Sequence, residues 1–179
     1  MKITYLVHSI TQDNEAGLAT GWLPGELSEE GVLRAKKLGE QLESQSYDAV
    51  FCSDLNRAIQ STEIFFNGRH PVFIDWRLRE CNYGDLDGTP AASFKKDREQ
   101  EYIDVPYKNG ESYLDVQARV ARFIEDAETL YPDGHIAIVA HQAPQLALDV
   151  LSKDMSWKEA IEKDWRKTGS WQPGWEYIV

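Results

Sequence analysis

Four short apolar runs punctuate the chain, and polar residues follow each one directly. Ile3 to Val7 stops at His8-Ser9, Tyr47 to Cys52 at Ser53-Asp54, Pro71 to Ile74 at Asp75, and His135 to Ala140 at His141-Gln142. Runs of this length and character predict buried strands. Between them the apolar positions take a helical period. Ser28 caps a helix to about Leu42, with Glu29 and Glu30 at the positive end of its dipole. Ser53-Asp54 caps a second from Leu55 to Phe66. Val116, Val120, Phe123, Ala127 and Leu130 mark one face of a long amphipathic helix. Pro144 to Leu151 predicts another, and Ser156-Trp157-Lys158-Glu159 fits the capping box of a further one. Ser9 to Glu15, Gly17 to Gly25 and Trp76 to Thr89 are read as irregular, Ala91 to Tyr102 as a polar helix, and Trp175 to Val179 as an edge strand. Strands alternate with helices, without repeat or linker. The expected architecture is therefore an α/β sheet covered on both faces, as one domain over residues 1–179.

Charge and length narrow the functions open to such a chain. A length of 179 residues suits one sizeable core. A formal net charge of −11 argues against nucleic acid as a partner, since nucleic-acid binders present basic faces. A small anion stays open, provided a few arginines and histidines make a locally positive pocket. The opening apolar run ends at His8, too short for a secretion signal or a membrane span. Cys52 and Cys81 form no CxxC pair; a disulfide between them stays open, but lone thiols fit a reducing compartment better, and cytoplasm is the expected location. Oligomeric state is not set by the sequence.

The three clusters His8-Ser9, Ser53-Asp54 with Arg57, and His141-Gln142 all follow predicted strands. Ligands of open α/β sheets bind beyond the carboxyl ends of the strands. If those strands are parallel, the clusters share one rim, where protonated imidazole and guanidinium suit phosphate oxygens. The helices after Ser53 and His141 would aim their first amides at the same anion. No HExxH or Cys/His ligand spacing is present, so no metal is expected. Singly, each histidine reads as a hydrogen-bonded strand-end residue and Arg57 as a surface charge. Their joint placement carries the signal.

These residues resemble the histidine phosphatase superfamily, which includes phosphoglycerate mutases. Its opening LVRHGET is similar to Leu6-Val7-His8-Ser9-Ile10-Thr11, followed by Asn14 and Gly21-Trp22. Leu27-Ser28-Glu29-Glu30-Gly31 resembles LTExG, and Ser53 to Ser61 resembles SDLxRAxQT closely. Leu78 to Gly84 resembles the LxExxxG segment that supplies an acid, Gly110-Glu111-Ser112 the GES step, and Val139-Ala140-His141 the second histidine. The pieces keep the family's order over residues 3 to 145. The resemblance implies a three-layer α/β/α sandwich with a mostly parallel central sheet. It also implies a metal-independent phosphatase without cofactor, acting on a small phosphorylated metabolite. His8 would attack phosphorus, Arg57 and His141 would hold its oxygens, and Glu80 would be the acid, with Asp85 the alternative. A phosphoglycerate mutase remains the alternative reading, although Gly88 to Asn109 carries only Lys95, Lys96, Arg98 and Lys108 where that branch has a longer basic insertion. A binding protein without catalysis is a third.

One position departs. Val7 stands where the family has an arginine, at a cost on the order of 1.5–3 kcal/mol for one charge-assisted hydrogen bond. Ser9, Thr11, Asn14 and Gln142 are the expected neutral substitutes, with Arg79 as a cationic one. Arg34 is expected on a helix surface, His70 and His135 in structural roles. A salt bridge to Arg77 or Arg79 is the competing role for Glu80. Trp171 and Trp175 are expected to pack a terminal strand.

Overall fold

The computed structural model describes residues 1–94, 101–170 and 172–179. Five strands form one sheet in the order β3-β2-β4-β1-β5. They are β1 (Lys2–Val7), β2 (Ala49–Cys52), β3 (Val72–Ile74), β4 (His135–Ala140) and β5 (Trp175–Ile178). The first four run parallel, and β5 pairs antiparallel with the outer side of β1. The helices are α1 (Gln12–Ala16), α2 (Glu29–Gln41), α3 (Asn56–Phe66), α4 (Tyr113–Leu130), α5 (Gln142–Lys153), α6 (Trp157–Glu162) and α7 (Trp165–Thr168).

Strand periodicity sorts the apolar side chains onto two faces. Ile3, Tyr5, Phe51, Ile136 and Ile138 share one core with Val116, Val120 and Phe123 of α4 and Leu146 of α5. Leu6, Val50, Ala137 and Val139 point the other way, onto Leu38 of α2 and Phe65 and Phe66 of α3. A sheet buried on both faces needs apolar residues at successive positions, which is why β1, β2 and β4 read as continuous runs. The expected three-layer, mostly parallel α/β architecture is the one observed.

Most elements lie where the pattern predicts them, and the exceptions have physical causes. Leu130, expected on the buried face of α4, is 68% exposed, because it ends the helix beyond the sheet. The stretch read as a loop after β1 contains α1, held by a capping box between Thr11 and Asn14. Helix α7 was not expected. Of the predicted Ala91–Tyr102 helix, Ala91–Ser93 is one 3-10 turn and 101–102 lie in a turn. Its middle, with the Lys95 to Glu99 charge run, lies outside the described residues, as does Trp171. Cys52 and Cys81 are both buried free thiols, so no disulfide joins them. Among the described residues no helix is long and apolar enough to cross a membrane.

Helix α2 closes on the loop after β1 at one point. A Cβ on Gly31 would lie 1.9 Å from the Ile10 carbonyl oxygen. There Ser28 N–H donates to the Ile10 carbonyl and the Ser9 hydroxyl to the Gly31 carbonyl. Gly31→Ala must push two backbones apart, so a loss of about 1–3 kcal/mol is expected in urea melts. An unchanged midpoint would show that α2 and this loop do not depend on close approach.

Candidate active site

Strand register assembles the site. Val7 pairs with Ala140 and Cys52 with Val139, so the next residues, His8, His141 and Ser53, emerge side by side. His8 N–H donates to the Ala140 carbonyl (3.0 Å) and Ser53 N–H to the Val139 carbonyl (3.1 Å). The His8 and His141 rings lie 5.0 Å apart, centroid to centroid.

The two imidazoles differ in surroundings. His8 is partly buried, and its Nδ1 lies 2.7 Å from the Ser9 carbonyl oxygen. A carbonyl only accepts, so Nδ1 carries the proton and Nε2 keeps its lone pair. Enclosure in protein, then the Arg57 charge, lower the His8 pKa to about 3, so the ring is neutral at physiological pH. His141 is fully buried, and burial followed by Arg57 pushes its pKa well down. Its Nε2 sits 2.8 Å from the Ser53 hydroxyl, while Nδ1 has no hydrogen-bond partner among the described residues.

Glu80 and Arg57 reach the same place. One Glu80 oxygen accepts from the N–H groups of Cys81 (2.8 Å) and Ala143 (3.0 Å), and the other from Gln142 N–H (3.1 Å). The first amides of α5, expected to face an anionic ligand, are thus given to this carboxylate. The Glu80 carbonyl accepts from Trp22 Nε1–H and Arg119 Nη2–H, pinning the backbone behind it. Arg57, 2% exposed, donates from Nη1 to the Leu23 carbonyl (2.8 Å) and from Nη2 to that of Gly21 (2.7 Å). Part of its fork therefore holds the loop around Gly21-Trp22.

A cavity of about 970 Å³ opens over His8, Arg57 and Glu80. His141, fully buried beside His8, is not among the residues that line the cavity. Of the substitutes for the absent arginine, Ser9, Asn14 and Gln142 border the cavity, whereas Thr11 and Arg79 do not. The Ser9 hydroxyl is given to Gly31, Thr11 Oγ1 caps α1, and the Gln142 amide donates to Asp164. Arg79 forms a two-toothed ion pair with Asp54 (2.7 and 2.6 Å) and lies over the Trp22 ring. Glu80 makes no salt bridge to Arg77 or Arg79; Arg77 pairs with Asp75 and Asp126. Asp85 is tied to Lys108 and Asn109, away from the cavity. Arg34 borders the outer wall and pairs with Glu30. His135 bonds Thr4, and His70 packs edge-on to Tyr47 and Phe66, as structural histidines do. Trp165 and Arg166 of α7 complete the wall, and nothing in the linear pattern pointed to them.

The sequence model of the histidine phosphatase superfamily (branch 1) matches residues 4–172. The chain belongs to the histidine phosphatase superfamily. Adenosylcobalamin/alpha-ribazole phosphatase of Salmonella typhi is 31% identical over 153 residues, 79% of this chain and 74% of that protein. A 2,3-bisphosphoglycerate-dependent phosphoglycerate mutase of Corynebacterium diphtheriae is 39% identical, over 53% of this chain and 41% of its own length. Among solved structures, the alpha-ribazole phosphatase from Shigella flexneri matches with a TM-score of 0.79 at 26% identity, covering 90% of this chain and 84% of that one. Bacillus stearothermophilus YhfR matches with a TM-score of 0.81 at 26% identity, covering 89% and 83%.

In this member of the histidine phosphatase superfamily, the motif residues outside the centre serve as its frame. Ser61 accepts from Ser9 N–H and donates to the Arg57 carbonyl, tying the loop after β1 to α3. Gln60 accepts from Leu27 N–H, and Asp54 fixes Arg79. Glu111 pairs with Arg119, the residue that grips the Glu80 carbonyl. A Cβ on Gly110 would stand 2.2 Å from the Asn82 carbonyl oxygen, so the step before Glu111 needs glycine.

The neutral imidazoles set a pH dependence of stability. Unfolded, His8 and His141 would titrate near the ordinary histidine value of about 6.5. Below that pH the unfolded chain binds more protons than the folded one, so stability is intact above about 6.5 and is lost as pH falls toward 3. Between pH 6 and 5, wild type is expected to lose stability more steeply than His8→Asn, by the equivalent of about one proton. Equal slopes in urea melts would mean that His8 is not held neutral.

Proposed function

We propose that this chain is a phosphatase that hydrolyses a small phosphomonoester through a phosphohistidine formed on His8. The observation that carries this reading is the hydrogen bond from His8 Nδ1–H to the Ser9 carbonyl on a ring whose pKa lies near 3. A neutral imidazole with Nε2 unprotonated is a competent nucleophile, and its backbone bond aims it without a second side chain.

In the first half-reaction the Nε2 lone pair bonds to phosphorus as the P–O bond to the leaving alcohol breaks. A proton carried by Glu80, which borders the same cavity, passes to that oxygen and leaves the carboxylate that acts in the second half-reaction. In the second half-reaction Glu80 takes a proton from water, the hydroxide oxygen bonds to phosphorus, and the P–N bond returns its electrons to Nε2. Charge on the equatorial oxygens calls for fixed donors. Arg57 supplies one. His141, its ring 5.0 Å from that of His8, would supply another if the Ser53 hydroxyl donates to Nε2, which leaves the proton on the buried Nδ1, without a partner among the described residues. The broad match to a protein named as a phosphatase, against a match to less than half of a mutase, supports hydrolysis over mutase transfer. A cavity of about 970 Å³ has room for a metabolite well beyond the phosphate itself.

Wild type is expected to release phosphate from an aryl phosphate and to carry acid-labile phosphate after a rapid quench. His8→Ala is expected to lose both. Glu80→Gln should lower turnover roughly 10²- to 10⁴-fold while label on His8 still forms from a substrate with a good leaving group. Because His8 is neutral down to a pH near 3, kcat/KM should show no acid limb near 6.5 that follows the nucleophile. Label elsewhere than His8, or full activity in His8→Ala, would sink the mechanism. Conversion of 3-phosphoglycerate that depends on bisphosphoglycerate would favour the mutase instead.

A further inference from the structure

We propose that Arg166, on the short helix α7, is a second phosphate-clamping guanidinium of this site, entering the cavity from the C-terminal part of the chain. The proposal rests on the phosphoryl-transfer reading above and adds a residue to it.

Among the described residues, four cations border the cavity: Arg34, Lys37, Arg57 and Arg166. Arg34 and Lys37 stand on the exposed side of α2, and Arg34 is bound to Glu30. Arg57 has given donors on both terminal nitrogens to the carbonyls of Leu23 and Gly21. Arg166 differs. Its Nη1 donates to Asp164 Oδ1 (2.9 Å) and, at 3.5 Å, to the Gln145 side chain, but its Nη2 is buried and has no hydrogen-bond partner among the described residues. A buried guanidinium nitrogen with two unused N–H groups is costly unless something accepts from it. At the wall of a cavity that holds His8 and Glu80, an anionic oxygen is the fitting acceptor.

The setting is built rather than accidental. Asp164 is 5% exposed and caps α7 through the Arg166 N–H while gripping the Arg166 side chain. The Gln142 side chain donates to the other Asp164 oxygen, and the Gln142 N–H donates to Glu80. One residue thus ties the anchor of the guanidinium to the candidate acid. The guanidinium also stacks over the Trp165 ring at 4.4 Å, and Trp165 stacks in turn on Trp175 of β5. Planar, fixed at one nitrogen and open at the other, Arg166 has the form required for an oxygen of a phosphoryl group. Its positive charge reaches both imidazoles and favours their neutral forms. Val7, an apolar wall of the same cavity next to His8, contributes no such charge.

The test uses the full chain and two readouts: kcat/KM on an aryl phosphate, and affinity for inorganic phosphate by calorimetry. Arg166→Ala is expected to lose roughly 10- to 150-fold in both, the worth of one charge-assisted hydrogen bond. Arg166→Lys, which keeps the charge without the planar fork, should recover only part of that. Val7→Arg placed in the Arg166→Ala background should restore much of the loss by supplying a guanidinium from β1, while Val7→Arg alone should add little. Thermal melts of each variant report folding, and rescue by Val7→Arg is an effect that a merely structural Arg166 would not show. If His8-dependent turnover persists in Arg166→Ala with unchanged phosphate affinity, the clamp is overturned and the phosphatase reading survives. If wild type binds phosphate through Arg166 but does not turn over, the clamp stands and the phosphatase reading fails. If wild type neither binds phosphate nor hydrolyses the ester, both are overturned.

Discussion

The pairing of Val7 with Ala140 across two parallel strands is the constraint on which the site depends. Parallel neighbours end at the same edge, so a fixed register converts two residues 133 apart in sequence into adjacent imidazoles. A slip of one residue would turn each side chain on β1 to the opposite face, burying Thr4 and Leu6 where Ile3 and Tyr5 belong. The register is therefore held by the core and inherited by the site. The Tyr5 hydroxyl reinforces it, donating to the His141 carbonyl (2.7 Å) and accepting from His141 N–H (3.1 Å). Core packing and placement of the second histidine are one arrangement.

Much of this was legible because the signals are local. β4 has the limits that its apolar run predicts, His135 to Ala140, and the capping box at Ser156 starts α6. Rim residues follow from strand ends, which the pattern marks. The misreadings concern where donors are spent, which only tertiary contacts decide. Arg79 adjoins Glu80 in sequence, but the backbone at Arg79 is extended (φ −56°, ψ 154°), a geometry in which consecutive side chains diverge. Glu80 turns to α5, and Arg79 to Asp54. Arg166 shows the reverse failure: nothing around Trp165-Arg166-Lys167 has a period or a motif, and its place depends on Asp164, the cap of its own helix, and on Gln142 and Gln145 of α5.

A general feature of the site is that its polar residues are largely engaged with one another. Ser9, Thr11, Asp54, Gln60, Ser61 and Glu111 each hold backbone or another side chain. Such a frame costs no reorganisation when charge develops on a bound group, which is the condition for electrostatic stabilisation. It also leaves few donors unspent. Among the described residues, His141 Nδ1 and Arg166 Nη2 are buried nitrogens without partners at this end of the sheet, the places that an anion would complete on the proposed reading.

On the phosphatase reading proposed above, that incompleteness reconciles an acidic chain with an anionic substrate. With a net charge of −11, long-range attraction would not bring a phosphate to this protein; contact inside the cavity would have to do so. Burial, and after it the arginine charges that would hold phosphoryl oxygens, lower the pKa of His8. Together they keep the Nε2 lone pair of the proposed nucleophile unprotonated. An incoming dianion offsets those charges, so the penalty on positive charge at His8 falls as phosphorus approaches and the ring begins to share its electrons. Binding and activation would then be two consequences of one charge arrangement, and the identity of the residues that supply it matters less than their sum within a few ångströms of Nε2.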